Sequence, residues 1–214
     1  YTPFEFEVTN SVKDGENSLF VMVDSTERSD IPPFGFVIDY LTYGGIYREV
    51  SLIETSIDRI SHVFIDVIND KIVSRLILDQ ALLAPLDITI EIKQKNSTIK
   101  TFDASIEGGE NRLSFDMHLE TWTLKNPVLY QMVIKHKTTI LYESSFGKRD
   151  ISFTYDGFYL NGEKIKLKGL NRHQSFPYVG YAMPSNAQRK DADILKYELG
   201  VNIVRSSNYP PSKH

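Results

Sequence analysis

Leu167-Lys168-Gly169-Leu170-Asn171-Arg172-His173-Gln174 and Leu199-Gly200-Val201-Asn202-Ile203-Val204-Arg205-Ser206-Ser207-Asn208-Tyr209-Pro210 are two segments in which a few apolar residues run straight into a polar cluster. Between them lies the one convincing helical pattern of the chain. Ser185 is placed to cap that helix, its hydroxyl accepting from the amide of Gln188 while the Gln188 side chain reaches back, the reciprocal arrangement of a capping box. Gly200 suits the left-handed residue that ends a helix. Ala187, Ile194 and Leu195, with Asp191 among them, put a modest apolar stripe on one side. A strand over residues 165–170, this helix and a short apolar strand over residues 201–204 predict one β-α-β unit with parallel strands. In parallel α/β architectures ligands sit beyond the carboxyl ends of the strands, so the informative residues are 171–174 at one tip and 205–211 at the other. The amide, imidazole, guanidinium and hydroxyl groups gathered there suit a sugar, each hydroxyl of which asks for a donor and an acceptor.

Upstream, Leu160-Asn161-Gly162-Glu163 is a hairpin signal, and the texture changes after Gly147, which marks the start of a new domain. Over residues 56–146 the pattern is strands of even length. Ile88, Ile90 and Ile92 alternate with Thr89, Glu91 and Lys93, and Leu113, Phe115, Met117 and Leu119 alternate with Ser114, Asp116 and His118, so each strand buries one face. Asn69-Asp70, Asn96-Ser97 and Gly108-Gly109 punctuate them, giving about seven strands in about 90 residues, the rhythm of an immunoglobulin-like sandwich. Trp122, just before Asn126-Pro127, reads as a core or corner anchor. Over residues 4–53 short strands are expected where Phe4, Phe6 and Val8 alternate, at Leu19-Phe20-Val21-Met22-Val23 after the turn Asp14-Gly15, and over residues 47–53. Prolines and glycines make the stretch between the last two a long loop. Three strands alone cannot enclose a core.

The 214 residues are 41% hydrophobic and 24% charged, an ordinary globular composition with enough apolar matter for a core. A net charge of −4 with lysines and arginines spread along the chain leaves no basic stripe for phosphates, so nucleic acid is not an expected partner. The absence of cysteine rules out disulfides and thiolate metal sites and leaves the compartment open, cytoplasmic or secreted. No apolar run approaches the roughly 18 residues of a membrane span. The start, Tyr1-Thr2-Pro3-Phe4-Glu5, carries neither an initiator methionine nor a signal peptide, so the chain is expected to begin in mid-protein.

The run from Leu167 to Gln174 is similar to the motif that opens the catalytic barrel of glycoside hydrolase family 2, usually written LKGVNRHE, and the downstream run resembles that family's LGFNAVRTSHYP. Tyr43-Gly44-Gly45-Ile46-Tyr47-Arg48 and Trp122-Thr123-Leu124-Lys125-Asn126-Pro127-Val128-Leu129-Tyr130 match two further stretches in the right order. The resemblance implies a mainly β chain in three parts: residues 1–54 from the C-terminal part of a sugar-binding jelly roll, 55–147 an immunoglobulin-like β-sandwich, and 148–214 the start of a truncated (β/α)8 barrel. It further implies a parent enzyme that hydrolyses β-glycosides with retention, first a β-galactosidase and otherwise a β-glucuronidase. Two carboxyl groups roughly 5 to 5.5 Å apart are needed for that chemistry. The family places both glutamates on later barrel strands, so these 214 residues are expected to hold no catalytic residue and to be inactive alone. Glu163, Asp191 and Asp193 fall on a hairpin or in the helix and are rejected as a catalytic pair.

Carried over by position, His173 matches the family's sugar-contacting histidine and Arg205 an arginine that supports the nucleophile's carboxylate. Asn208 stands where the family has a second sugar-contacting histidine, Gln174 where it has glutamate, and Asn171 orients either ligand or backbone. Without the resemblance, His173 reads as a loop histidine and Arg205 as an ion-pair residue. No cofactor is expected within this segment. The resemblance implies room for magnesium or sodium in the full-length enzyme, which these residues do not place, while no ligand cluster for calcium or zinc is present. The implied partner is a β-linked sugar. The unpaired strand edges of two incomplete flanks are expected to pack on the sandwich, pair with another copy or stay poorly ordered, with a homo-oligomer as the expected assembly. A reading from a different class, a non-catalytic carbohydrate-binding or adhesion sandwich, leaves the strand-end motifs unexplained.

Overall fold

A computed structural model describes residues 4–26, 28–30, 43–56, 58–80, 82–207, 209 and 211–212. They form two compact units, Leu52–Lys166, and Tyr1–Ser51 together with Leu167–His214. In the first unit, β1 (Ile60–Ile68), β2 (Lys71–Leu78) and β5 (Glu110–Asp116) make one antiparallel sheet in the order β1-β2-β5. Strands β3 (Leu86–Gln94), β4 (Ser97–Ile106), β6 (Tyr130–His136) and β7 (Thr139–Phe146) make a second in the order β4-β3-β6-β7. Strand β4 thus sits beside β3 and gives a three-plus-four split, where constant-type immunoglobulin domains place four strands on the first sheet. The alternation expected for β3 holds, with Ile88, Ile90 and Ile92 buried in one cluster with Ile72, Leu76, Ile106, Met132 and Ile134. Leu113 and Phe115 on β5 are only half-buried, because a sheet-edge strand is covered from one side.

Turn chemistry sets the register. Asn69 and Asp70 adopt φ of 49° and 59°, the left-handed pair of a two-residue hairpin. The next hairpin turns on Lys95 and Asn96, one residue upstream of the expected Asn96-Ser97, because Ser97 already pairs with Gln94. Trp122 is half-buried at a corner: a Cβ on Gly147 would meet its Cδ1 at 3.3 Å, and the Arg149 guanidinium lies 5.8 Å from the indole centre.

The same unit continues into a meander of β8 (Ile151–Thr154), β9 (Gly157–Leu160) and β10 (Glu163–Ile165). Asn161 occupies the turn at φ 53°, and its side chain accepts from the Asp150 amide at 2.9 Å while donating to the Trp122 carbonyl at 2.9 Å. Asn161→Ala loses two hydrogen bonds and places a Cβ residue without local compensation in the left-handed region. It is expected to cost about 2–3 kcal/mol, and Asn161→Gly less, as read from urea unfolding. Equal costs for the two would show that conformation contributes nothing there.

In the second unit, β11 (Gly169–Asn171) and β12 (Ile203–Arg205) pair in parallel, with Gly169 opposite Ile203, Leu170 opposite Val204 and Asn171 opposite Arg205. Between them run α1 (Ser185–Asp193) and a π-helical turn (Ile194–Glu198), so the expected β-α-β unit is present. A Cβ on Gly169 would lie 2.3 Å from the Ile203 carbonyl oxygen, so this close crossing admits only glycine. The first strand is shorter than expected: Ile165 belongs to β10, and only residues 169–171 meet β12. The helix does end at Gly200, with φ 66°. The capping box is not formed. Pro184 takes the N-cap position with no side-chain cap, and Gln188 is buried under the helix because it has a stronger partner in Arg172.

Among the described residues no strand forms in 4–26 or 43–56, so the expected jelly-roll strands at Phe4, Phe6 and Val8, at residues 19–23 and at residues 47–53 are absent there. Alternation records which face a strand would bury, yet a strand exists only as a hydrogen-bonded ladder with a neighbour. Phe20 and Met22, 92% and 93% exposed, have no such ladder beside them among the described residues. The proline-rich part of the expected loop, residues 31–42, lies outside the described residues. No helix among them is long and apolar enough to cross a membrane.

Candidate functional site

Strand alternation explains the geometry of the two tips. Asn171 and Arg205 share the last rung of the parallel ladder, and two residues beyond it His173 meets Ser207. The Arg205 Nη1 donates to Asn171 Oδ1 at 3.5 Å, and Ser207 Oγ lies 3.0 Å from His173 Nε2. His173 and Arg205 are thus held at neighbouring strand ends, as expected, and Asn171 stands between them as a partner of Arg205. Ser207, which the sequence reading passed over, leaves the strand with φ 59°. Its hydroxyl engages Nε2 of His173. Asn208 lies outside the described residues.

Arg172 has the opposite facing and turns toward the helix. Its Nε and Nη2 both donate to Asp191 Oδ2, at 2.9 and 2.7 Å, and Nη2 also donates to Gln188 Oε1 at 2.7 Å. Asp191, rejected as a catalytic acid, is therefore the counter-ion of Arg172. The Arg172 main chain is bound to the other side: its amide donates to the Arg205 carbonyl at 2.9 Å, and its carbonyl accepts from the Tyr209 hydroxyl at 2.7 Å. Gln174 is buried, its Oε1 accepting from the Ser212 amide at 2.8 Å. A glutamate at that position would accept the same bond, so the amide substitution preserves this contact.

Beneath the tips lies an aromatic cluster. Tyr209 stacks on Tyr181 with centroids 5.6 Å apart and planes 18° apart, Tyr43 meets Tyr181 edge-on at 5.0 Å, and the His173 ring is 5.7 Å from Tyr209. Burial pushes the Tyr209 phenol above its ordinary pKa, with the Arg172 guanidinium opposing the shift. Tyr181 and Tyr209 are 4% and 6% exposed, so they form the floor of the site rather than a surface for stacking sugar. Only alternation of facing along residues 171–174 could have separated His173, beside Ser207, from the helix-facing Arg172 in advance.

Residues 151–214 match the family model for the TIM barrel domain of glycosyl hydrolases family 2. A β-galactosidase of Thermoanaerobacterium thermosulfurigenes is 44% identical over the whole chain, which spans 32% of that relative. The chain belongs to glycoside hydrolase family 2. It spans about a third of the curated relatives it matches, and another of them, a β-glucuronidase of Bacteroides fragilis, is 28% identical over all of this chain and 34% of its own length. Among solved structures, the apo form of Bacteroides uniformis β-glucuronidase 3 superposes with a TM-score of 0.74 at 22% identity, over 89% of this chain and 25% of that one, which shows the shared fold. The family 2 motifs thus coincide with the two strand tips. Among the described residues no three histidine, aspartate or glutamate side chains gather closely enough to hold a metal ion.

Proposed function

We propose that the full-length family 2 enzyme to which this chain belongs hydrolyses β-galactosides with retention, and that His173 and Arg205 line its sugar pocket. The observation that carries the reading is that His173, two residues beyond the end of β11, is held against Ser207, two residues beyond Arg205 at the end of β12, in a chain 44% identical to a β-galactosidase. His173 contributes its imidazole to a sugar hydroxyl. Arg205 holds the carboxylate that attacks the anomeric carbon, keeping it ionised and aimed. A second glutamic acid protonates the leaving oxygen, and both carboxyl groups come from barrel strands beyond residue 214. Asn171 fixes the Arg205 guanidinium, and Asn208 adds a neutral donor and acceptor where the family motif has an imidazole.

The test compares nitrophenyl β-galactoside with nitrophenyl β-glucuronide on the full-length enzyme. We expect kcat/KM to favour the galactoside by at least about 10²-fold, since a site that reads a hydroxyl penalises a group it cannot pair. The 214-residue chain alone should stay at background. A reversed preference would move the assignment to β-glucuronidase, and no turnover of any β-glycoside by the full-length protein would leave the carbohydrate-binding module in its place.

A further inference from the structure

We propose that Arg172 is a positioning residue, which sets the placement of His173 by tying the tip of β11 to α1 and to the segment after β12. The proposal rests on the glycosidase reading for its kinetic consequences but not for its geometry. Three elements meet at this one residue. Its guanidinium grips Asp191 and Gln188 on α1, with Met183 Sδ at 3.4 Å, while its amide and carbonyl are held by Arg205 and Tyr209. The Arg172 side chain is 20% exposed, Asp191 is 37% exposed and Gln188 is buried, so the Arg172–Gln188 half of the link is the one shielded from solvent. A buried glutamine inside a helix is an uncommon residue, and its Oε1 accepts from Arg172 Nη2 at 2.7 Å.

The consequence for the pocket follows from chain geometry. His173 is the next residue after Arg172, and consecutive side chains of an extended segment point to opposite sides, so the rotation of one peptide fixes both. With Arg172 locked to α1, the His173 ring is delivered to Ser207 and Tyr209 on the other side. Tyr209 OH closes the loop by holding the carbonyl of Arg172, so the floor of the site and the ring that faces the ligand share an anchor. A lysine at 172 would keep the charge but not the fork that reaches Asp191 through two nitrogens and Gln188 besides.

The experiment uses the full-length enzyme and the variants Arg172→Lys, Arg172→Met and Asp191→Asn. Competent sites are counted by trapping with a slow 2-fluoro β-galactoside, and His173 is followed by its imidazole resonances in 15N-histidine-labelled protein. We expect kcat per competent site to fall about ten- to hundredfold in Arg172→Met, since a shift on the order of 1 Å in a reacting geometry costs that much. Arg172→Lys should recover part of the loss, and the double variant Arg172→Met/Asp191→Asn should be no worse than Arg172→Met. In a His173→Ala background the Arg172 substitution should cost almost nothing further. Unchanged kcat per competent site, with only the number of such sites or the melting temperature reduced, would make Arg172 a purely structural link and overturn the proposal. So would an undiminished penalty in the His173→Ala background. Should the wild-type enzyme turn over no β-glycoside, the functional reading fails on its own, and the His173 resonances still decide the linkage: no perturbation by Arg172→Lys or Arg172→Met would end it.

Discussion

Replacing Arg205 with methionine in the full-length enzyme is expected to lower kcat for a nitrophenyl β-galactoside by about 10²–10³-fold, with a smaller change in KM. Methionine keeps the length and apolar stem of the side chain and removes only the guanidinium. The attacking carboxylate would then lose its charge-assisted partner inside a pocket, and truncating one member of such a pair costs about 2–5 kcal/mol. Arg205 sits at the last rung of β12, opposite Asn171, whose amide oxygen receives its Nη1 at 3.5 Å. Because Arg205 is exposed in this chain, the kinetic loss should exceed any loss of melting temperature. Arg205→Lys should restore a fraction of the rate, since an ammonium retains the charge but cannot offer the planar fork. A kcat within about twofold of wild type in Arg205→Met would reduce Arg205 to a partner of Asn171 and remove half of the proposed pocket.

How far the sequence could be read depended on whether a segment carries its own partner. The hairpin strands did: alternation on β3 and the turn residues Asn69-Asp70 and Asn161-Gly162 place faces and registers through interactions between near neighbours, and these were legible. Residues 4–8 and 19–23 show strand-like patterning with no ladder, because patterning is local while pairing is not. The capping box failed for a related reason. Ser185 and Gln188 have the right spacing, but a guanidinium from Arg172, sixteen residues upstream of Gln188, outcompetes a backbone amide for the Gln188 oxygen. At the candidate site the residue types and the parallel pairing were visible from the motifs. The division of labour was not, since which of Arg172 and His173 turns to the helix and which to Ser207 shows only in the folded contacts just beyond β11.

Ile90→Ala should destabilise the sandwich by about 3–4 kcal/mol, the largest stability effect of any single truncation considered, measured as a lowered urea midpoint at unchanged slope. Ile90 is fully buried at the middle of β3, paired to Phe102 on β4 and to Ile134 on β6, so strands on both sides prevent the backbone from moving in to fill the space. The cost is therefore the lost transfer free energy plus a cavity that cannot collapse. Ile99→Ala supplies the control: the same three carbons are removed from a residue 44% exposed on β4, at the edge of the same sheet, and the expected cost is below about 1 kcal/mol. The ratio between the two, more than either value, measures burial, because residue type and strand propensity are held constant. Since total stabilities lie near 5–15 kcal/mol, the Ile90 variant should also populate unfolded chains visibly at mild heating, and comparable losses at Ile90 and Ile99 would mean that the core does not lie between the two sheets.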